Sequence, residues 1–387
     1  MEVLLLSSAV ALCAIWVVYP LAIIALAAVR RREERAPAHG REAVPAQAVP
    51  APDGAVPTVT VVIATRDDAA TIRRRVENAL AARYDAARLD VVVALDGAGS
   101  GAAPADLGEL GPRVRVVRGD SPGGKAAALN AGVRAARGEV LVFGDAHQLF
   151  EPEAVARLVV ALADPRVGAV SGCLEVGAHG GPPTLADRYW SYEKRLRDAE
   201  ARVHSAVGVT GAVYAMKRAL WAPLPDGLIL DDVYVPMRLV LNGYRVDFVE
   251  GAKAIEARRF RAEQEYRRKV RTLTGNIQLC AWLPAVLVPV RNPIWLQFVC
   301  HKLLRLLTPY LAAALVVSAA VLTARALGHM LVAALIGAAA AVTVLLVARP
   351  GLRQRALGLV EWGVALQAAT VVATINGLRG RWNVWHR

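Results

Sequence analysis

Four short segments of the 387-residue chain are almost wholly apolar and rich in valine. Between them, apolar residues recur at helical spacing, as in residues 68–83 and 125–137. Short, nearly continuous apolar runs are typical of parallel strands covered on both faces, and their alternation with helices indicates an α/β fold. The pattern therefore predicts a doubly wound α/β domain. The four predicted strands read TVTVVIATR (58–66), LDVVVALDG (89–97), RVRVVRG (113–119) and EVLVFGDA (139–146).

Polar side chains stand where three of these strands end. They are Thr65, Asp67, Asp96, Asp145 and His147. Ligands of open α/β sheets bind at the carboxyl ends of the strands, so we expect these residues at the functional site. A single aspartate next to glycine is more often a turn residue, but two of them on parallel strands favour a ligand.

Other apolar runs are too long for such strands. Residues 3–29 carry no charge and exceed the ~20 residues that a helix needs to cross a bilayer. A cleaved signal peptide would be shorter and would begin with positive charge, whereas this chain begins Met-Glu. Three later runs are also long enough to cross, which predicts four crossings in all. They are residues 303–324, 327–348 and 356–378.

Composition supports a membrane location. The chain is 55% hydrophobic with a mean hydropathy of +0.37, which is too apolar for an ordinary soluble enzyme. Its net charge of +13 would suit nucleic acid or an anionic membrane surface. The arginines cluster beside the apolar runs, as in RRREER at 30–35, so we expect membrane lipids as partners and no nucleic acid. The positive-inside tendency predicts a multi-pass protein of the cell membrane with its α/β domain in the cytoplasm.

These patterns divide the chain into five parts. An N-terminal transmembrane helix is predicted first, followed by a basic and Ala/Pro-rich linker and by the α/β domain. Basic and interfacial helices follow, because residues 279–290 are short, broken by proline and flanked by tryptophan. The parts are residues 1–30, 31–57, 58–260, 261–302 and 303–387, the last a C-terminal transmembrane region of three predicted helices.

Lys125 opens the second predicted helix within GDSPGGKA. The spacing matches a phosphate-binding P-loop, but that loop needs a Ser or Thr after the lysine to hold Mg²⁺, and Ala126 stands there. The P-loop interpretation therefore fails. A cation at a helix N-terminus still suits phosphate, while a solvated surface lysine is the simpler alternative.

A pair of adjacent carboxylates, Asp231 and Asp232, begins another amphipathic helix. One of them is explained by helix capping. Adjacent carboxylates repel each other, so one can have a raised pKa and act as a general base.

Taken together and in this order, the motifs resemble those of membrane-bound glycosyltransferase family 2. That group includes cellulose, hyaluronan, chitin-oligosaccharide and poly-N-acetylglucosamine synthases. The resemblance extends over about residues 58–271 and rests on an ordered set of motifs. They are VVIATRDD, LDGAGS, GGKAAALNAG, FGDAH, GVTGAVYAMKR and LDD.

The resemblance implies a GT-A-like nucleotide-sugar domain and an inverting transfer. It implies that Asp232 is the catalytic base and that Asp145 and His147 bind Mg²⁺ or Mn²⁺. Further residues would bind the nucleotide sugar: Thr65, Asp67, Asp96, Lys125, Asp145 and Arg267. Others would lie on the acceptor side: Thr210, Gly211, Asp231 and Gln264.

Two positions depart from the family pattern. His147 stands where the family usually has Asp or Asn; it is either a ligand that suits Mn²⁺ better than Mg²⁺ or only a contact to phosphate or water. The family's processive members carry Q-x-x-R-W, whereas QEYRR here gives Gln264 and Arg267 without the tryptophan. Long-chain processivity is therefore in doubt.

The sequence thus predicts a membrane glycosyltransferase with a nucleotide-sugar donor, UDP-linked by the resemblance. The acceptor would be a growing glycan or a lipid-linked molecule, and the product would be a candidate for export. The alternative is a non-catalytic membrane scaffold with a degenerate transferase domain.

Overall fold

The computed structural model describes residues 1–35, 56–97, 104–176, 185–258, 262–348 and 350–384. Most of the linker predicted at 31–57, and the serine that ends LDGAGS, lie outside the described residues. The chain divides into two compact units. The helical unit consists of Met1–Ala22, Arg261–Ile277 and Phe298–Arg387, and the sheet unit consists of Ile23–Phe260 and Gln278–Gln297.

Helices and strands alternate through the sheet unit, and helices make up the other unit. The described helices are α1 (Glu2–Cys13), α2 (Tyr19–Arg35), α3 (Ala69–Leu80), α4 (Lys125–Ala135), α5 (Ala154–Ala161), α6 (Leu185–Val203), α7 (Asp231–Leu241), α8 (Ala262–Trp282), α9 (Trp295–Phe298), α10 (Thr308–Ala348) and α11 (Pro350–Leu378). The described strands are β1 (Val59–Thr65), β2 (Leu89–Leu95), β3 (Val114–Arg118), β4 (Val140–Phe143), β5 (Gln148–Phe150), β6 (Val167–Val176), β7 (Tyr214–Lys217) and β8 (Arg245–Glu256).

The sheet has the strand order β3-β2-β1-β4-β7-β6-β8-β5. The four predicted strands are confirmed, and they pair in parallel as β3-β2-β1-β4. The expectation of a doubly wound, parallel sheet was wrong for the other half, because β7 pairs antiparallel with both β4 and β6. The sheet is therefore mixed. Strand β8 alternates in burial and β5 has only three residues, so these two lack the continuous apolar runs that marked the first four strands.

Strands β1, β2 and β4 of the parallel half form a buried core. Six of the seven residues of β1 are buried, which explains its continuous apolar sequence. Helix α4 packs on this half through small side chains, Ala126, Ala127 and Ala128 among them. The packing is so close that a Cβ added at Gly132 would lie 2.7 Å from Cγ1 of Val62.

Helix α3 begins at a side-chain cap, since Asp68 Oδ1 accepts a hydrogen bond from the amide of Thr71 at 2.8 Å. Its buried residues follow the helical period at Ile72, Arg75, Val76 and Ala79. An arginine thus occupies a core position of this helix.

Two described helices are long and apolar enough to cross a membrane, by length and composition: Glu2–Arg30 and Trp295–Ala326. A shorter apolar helix covers Gly363–Leu378. The first two overlap the predicted crossings at 3–29 and 303–324. Residues 327–348 continue in α10 past a break at Gly328, where φ is +58°. Four crossings of a bilayer stay a prediction.

The connection between α4 and β4 lies directly on β1. The amide of buried Gly138 donates to Oγ1 of Thr60 at 2.8 Å, and a Cβ added at Gly138 would lie only 2.4 Å from the Thr60 nitrogen. Backbone atoms cannot rotate away, so Gly138→Ala should destabilise the protein by about 1–3 kcal/mol. Thermal unfolding in detergent, followed by circular dichroism, measures the effect.

A suitable control is Gly363→Ala in α11, where an added methyl group meets no described atom within 4 Å. Its unfolding midpoint should equal or slightly exceed the wild-type value, because alanine favours a helix interior over glycine. An unfolding midpoint of Gly138→Ala equal to that of wild type would contradict the prediction, because it would show that the backbone of β1 shifts to accommodate the methyl group at little cost.

Candidate active site

The parallel strands end at a cleft in the sheet unit. The polar residues Lys125, Asp145 and Asp231 converge on it from α4, from the end of β4 and from the start of α7. The cleft is lined by Val62, Ala64, Lys125, Leu129, Phe143, Gly144, Asp145, Gly211, Tyr214 and Asp231. Its position at the carboxyl ends of parallel strands is where α/β folds bind their ligands.

Lys125 lies between two carboxylates in this cleft. Its Nζ is 3.3 Å from Oδ1 of Asp145 and 3.3 Å from Oδ1 of Asp231. The side chain of Asp231 is only 10% exposed, whereas that of Asp145 is 42% exposed. The lysine is therefore not a solvated surface residue, and Asp145 is the more accessible of its two partners.

Asp96 determines where α4 begins. Its Oδ1 accepts a hydrogen bond from the amide of Gly124 at 2.7 Å. Gly124 caps the helix with φ +95°, a conformation that residues with a Cβ rarely adopt. Lys125 is the next residue, so Asp96 positions the lysine through the backbone. The predicted contact between Asp96 and a nucleoside stays a prediction.

Thr65, Asp67 and His147 form a hydrogen-bonded chain. The hydroxyl of Thr65 donates to Oδ2 of Asp67 at 2.7 Å, and Oδ1 of Asp67 lies 2.8 Å from Nε2 of His147. Metal-binding histidines usually donate their other ring N–H to a carboxylate in this way. The contact therefore fits a histidine that offers Nδ1 to a ligand, and it equally fixes the ring against Asp67.

A divalent metal would need ligands from outside the protein as well. Across the described ranges, no three His, Cys, Asp or Glu side chains are grouped as metal ligands. Asp145 offers a hard, accessible carboxylate in the cleft, which suits Mg²⁺ or Mn²⁺ when phosphate oxygens and water complete the coordination. The donor set present thus fits a metal that arrives with a diphosphate.

The segment before β7 packs on the start of α7. The amide of Val209 donates to the backbone oxygen of Asp232 at 2.8 Å. A Cβ added at Gly211 would lie 3.6 Å from Oδ2 of Asp232, so the glycine leaves the carboxylate's flank open. Asp231 faces Lys125 while Asp232 lies beside Gly211, and the two adjacent carboxylates thus have different neighbours.

The other predicted acceptor-side residues are distributed differently. Thr210 is buried, and its amide donates to Oγ of Ser171 at 2.9 Å, so it anchors this segment to β6. Gln264 and Arg267 are exposed on α8 in the helical unit, where Arg267 pairs with Glu263 at 2.6 Å. Neither of these two is among the residues that line the cleft.

Two family models match this chain. Glycosyl transferase family 2 matches residues 60–221. Glycosyl transferase family group 2 matches residues 141–347, which is more than half of the chain. The chain belongs to glycosyl transferase family group 2.

The glycosyltransferase is similar over nearly its whole length to one solved structure. This is the mannosyltransferase PcManGT from Pyrobaculum calidifontis, in complex with GDP-Man and Mn²⁺, which is 24% identical with a TM-score of 0.68. The similarity covers 97% of this chain and 99% of that one and identifies a GT-A-like fold.

A curated relative is the succinoglycan biosynthesis protein ExoO of Rhizobium meliloti (strain 1021). It is 37% identical over 105 residues. The match spans 27% of this glycosyltransferase and 29% of the length of that relative.

Tyr214 is a cleft residue that the sequence analysis missed. It is 1% exposed and stacks on Phe143 with ring centroids 4.6 Å apart. Its hydroxyl has no hydrogen-bond partner among the described residues. Burial raises the pKa of Tyr214 well above its usual value, and the charges of Asp231, Asp232 and Asp145 raise it further. The phenol therefore stays protonated and is a hydrogen-bond donor. Its position within the GVTGAVYAMKR motif was the available signal.

Tyr214→Phe should not lower the stability of the glycosyltransferase. The substitution keeps the ring stack with Phe143 and removes a buried hydroxyl whose missing partner costs about 1–3 kcal/mol. The apparent unfolding midpoint in detergent, compared with wild type, should be unchanged or higher. Tyr214→Leu is the matched control, and it should lower the midpoint because the ring stack is lost. A lower midpoint for Tyr214→Phe would show that the hydroxyl has a stabilising partner.

Proposed function

We propose that the protein transfers a sugar, with inversion, from a nucleoside-diphosphate sugar to a glycan or lipid-linked acceptor. The observation that carries this proposal is the convergence of Lys125, Asp145 and Asp231 in one cleft, with Asp232 next to it. The Lys125 ammonium can bind the oxygens of a diphosphate, and the accessible carboxylate of Asp145 can bind a divalent metal ion that accompanies it. Membership of the glycosyltransferase family supports the reaction class.

On this proposal, the donor binds along the ends of β1, β2 and β4. Thr65, Asp67 and Asp96 hold the nucleoside, because carboxylate and hydroxyl oxygens accept or donate hydrogen bonds to a ribose and a base. The ammonium group of Lys125 faces the diphosphate, and its ion pairs with Asp145 and Asp231 hold it in position. The partial match of QEYRR to the family motif supports Arg267 as a further proposed contact to the diphosphate.

Asp145 is proposed as the metal ligand, with His147 as the second. When bound, Mg²⁺ or Mn²⁺ supplies positive charge that stabilises the departing nucleoside diphosphate. The Asp67–His147 contact at 2.8 Å supports the role of His147, since it would orient the ring toward a ligand. The mannosyltransferase of similar fold was solved with GDP-Man and Mn²⁺.

Asp232 is proposed as the general base. Its carboxylate takes the proton of the acceptor hydroxyl. The oxygen of that hydroxyl then forms a bond to C1 of the donor sugar. The bond from C1 to the diphosphate breaks with its electron pair staying on the diphosphate. A single displacement of this kind inverts the anomeric centre. Thr210, Gly211, Asp231 and Gln264 would form the acceptor side.

Membrane residence is part of the proposal. The apolar helices Glu2–Arg30 and Trp295–Ala326 support it, and the basic residues 30–35 favour a cytoplasmic catalytic unit. Between α8 and α9, Val290 is 94% exposed beside Arg291, which suits an interfacial position. The local match to a succinoglycan biosynthesis protein favours a surface polysaccharide as product.

Purified full-length protein tests the function. It should release nucleoside diphosphate from at least one member of a panel of UDP- and GDP-linked sugars, and release should increase with a membrane glycan or lipid extract. Failure to release nucleoside diphosphate from any donor with either Mg²⁺ or Mn²⁺ would favour the scaffold alternative.

Asp232→Asn should slow transfer by about 10²–10⁴-fold, the usual cost of losing a general base. The amide is nearly isosteric but accepts no proton at neutral pH, so binding of nucleoside diphosphate should stay close to wild type. Initial rates and calorimetric binding measure the two quantities.

Asp226→Asn is the matched control for this experiment, because Asp226 is exposed on the loop before α7. It should keep the wild-type rate. Wild-type turnover in Asp232→Asn would remove Asp232 from the mechanism.

Asp145→Ala should abolish the metal-dependent part of nucleoside diphosphate binding, because the accessible carboxylate of the cleft is lost. His147→Asp should widen metal use toward Mg²⁺, since a carboxylate suits the harder ion. Titrations of each variant with MgCl₂ and MnCl₂ measure both effects. If His147→Ala leaves the metal preference and the half-saturating metal concentration unchanged, His147 is no ligand.

A further inference from the structure

Arg75 is the largest fully buried side chain of the described core, although arginine is almost never fully buried unless it is paired. It stands in the apolar stripe of α3, between Ile72 and Val76 on the same buried face. No salt bridge to Arg75 occurs among the described residues. Burial lowers the pKa of Arg75 to about 9, although the charge of Asp145 opposes this shift. The guanidinium is still charged at neutral pH, and a leucine at this position would be buried at lower cost.

Arg75 contacts two residues of the segment that follows β4 and one residue of its own helix. Its Nε donates to the backbone oxygen of Asp145 at 3.2 Å, and its Cζ lies 3.9 Å from the ring centroid of Phe150. Its Nη1 donates to Oδ1 of Asn78 at 3.1 Å. The guanidinium thus contacts both Asp145 and Phe150, the last residue of β5.

Gly144 makes room for this arrangement. A Cβ added at Gly144 would lie 2.8 Å from Nη2 of Arg75 and 2.8 Å from Cζ of Phe150. Nη2 itself is buried and has no hydrogen-bond partner among the described residues. The guanidinium therefore fills the space that a side chain at position 144 would take, directly behind the cleft.

Residues of α3 or just before it hold segment 144–150 at three points, in addition to the pairing of β5 with β8 and the ion pair between Lys125 and Asp145. Arg75 holds the backbone oxygen of Asp145, and Asp67 holds the side chain of His147. Asn78 accepts from the amide of Phe150 at 2.8 Å and donates to its carbonyl oxygen at 3.0 Å. Of the three, only Arg75 contacts the residue whose carboxylate faces Lys125.

We infer that Arg75 is a positioning residue that fixes Asp145 for metal and diphosphate binding. It acts through the Asp145 backbone oxygen and contacts neither substrate nor metal. This inference rests on the proposed function. If the inference holds, the orientation of Asp145 depends on the buried guanidinium of Arg75 on α3. Loss of the guanidinium should therefore weaken metal binding more than it slows turnover at saturating metal.

Arg75→Lys tests the inference, because it keeps the charge and removes the Nε donor. The matched control is Arg74→Lys, on the exposed face of the same helix. With full-length protein in detergent, two quantities are compared: the hydrogen-exchange rates of amides 146–150 without metal or substrate, and the half-saturating Mn²⁺ concentration for nucleoside diphosphate release. In Arg75→Lys we expect faster exchange and a half-saturating Mn²⁺ concentration raised about 10-fold or more, as for other residues that orient metal ligands. The rate at saturating Mn²⁺ should fall less than about threefold, and the control should match wild type.

Gly144→Ala provides a second variant in case Arg75→Lys does not fold. Its methyl group displaces the guanidinium, so it should change both quantities in the same direction. A lower unfolding midpoint with wild-type Mn²⁺ dependence and wild-type exchange in segment 146–150 would reduce Arg75 to a packing residue and overturn the inference. If wild-type protein releases no nucleoside diphosphate, the proposed function fails, while the exchange rates still decide whether Arg75 holds the segment.

Discussion

The ion pairs of Lys125 are the interaction on which the cleft depends. They join the end of β4 to the first turn of α7, two places 86 residues apart in the sequence, at 3.3 Å each. Without the lysine, Asp145 and Asp231 would bring two negative charges together in a partly buried site, where repulsion is weakly screened. The lysine therefore keeps this acidic site assembled, and it does so from a helix whose start is fixed by Asp96.

The parallel half of the fold was predictable because each of its strands is marked by a pattern within its own few residues. Continuous valine-rich runs marked β1 to β4, and the polar residue at each strand end then had to lie at one edge of the sheet. That rule located Asp145 at this edge, whereas Lys125 and Asp231 were assigned to the site by resemblance. Asp96 is an instructive case: the sequence located it at the strand end, but only the structure revealed its hydrogen bond to Gly124.

The antiparallel half and the supporting residues were not predictable in this way. Strand β8 pairs with β6 in parallel and with β5 antiparallel, which no periodicity along one strand specifies. Tyr214 and Arg75 depend on neighbours that are distant in the sequence. For Arg75 the only signal in the sequence was an arginine in the apolar stripe of an amphipathic helix. From sequence alone, such a residue is interpreted as an interruption of the stripe and not as part of the core.

The small side chains of α4 impose a steric limit on how this sequence can change. The helix approaches β1 so closely that position 132 has no space for a methyl group against Val62. Replacement by leucine or valine, which most hydrophobic cores accept, would lift the helix away from the sheet and carry Lys125 with it. Substitution is therefore restricted by volume rather than by polarity on this face. Larger residues are tolerated on the outer face, where Arg134 is exposed.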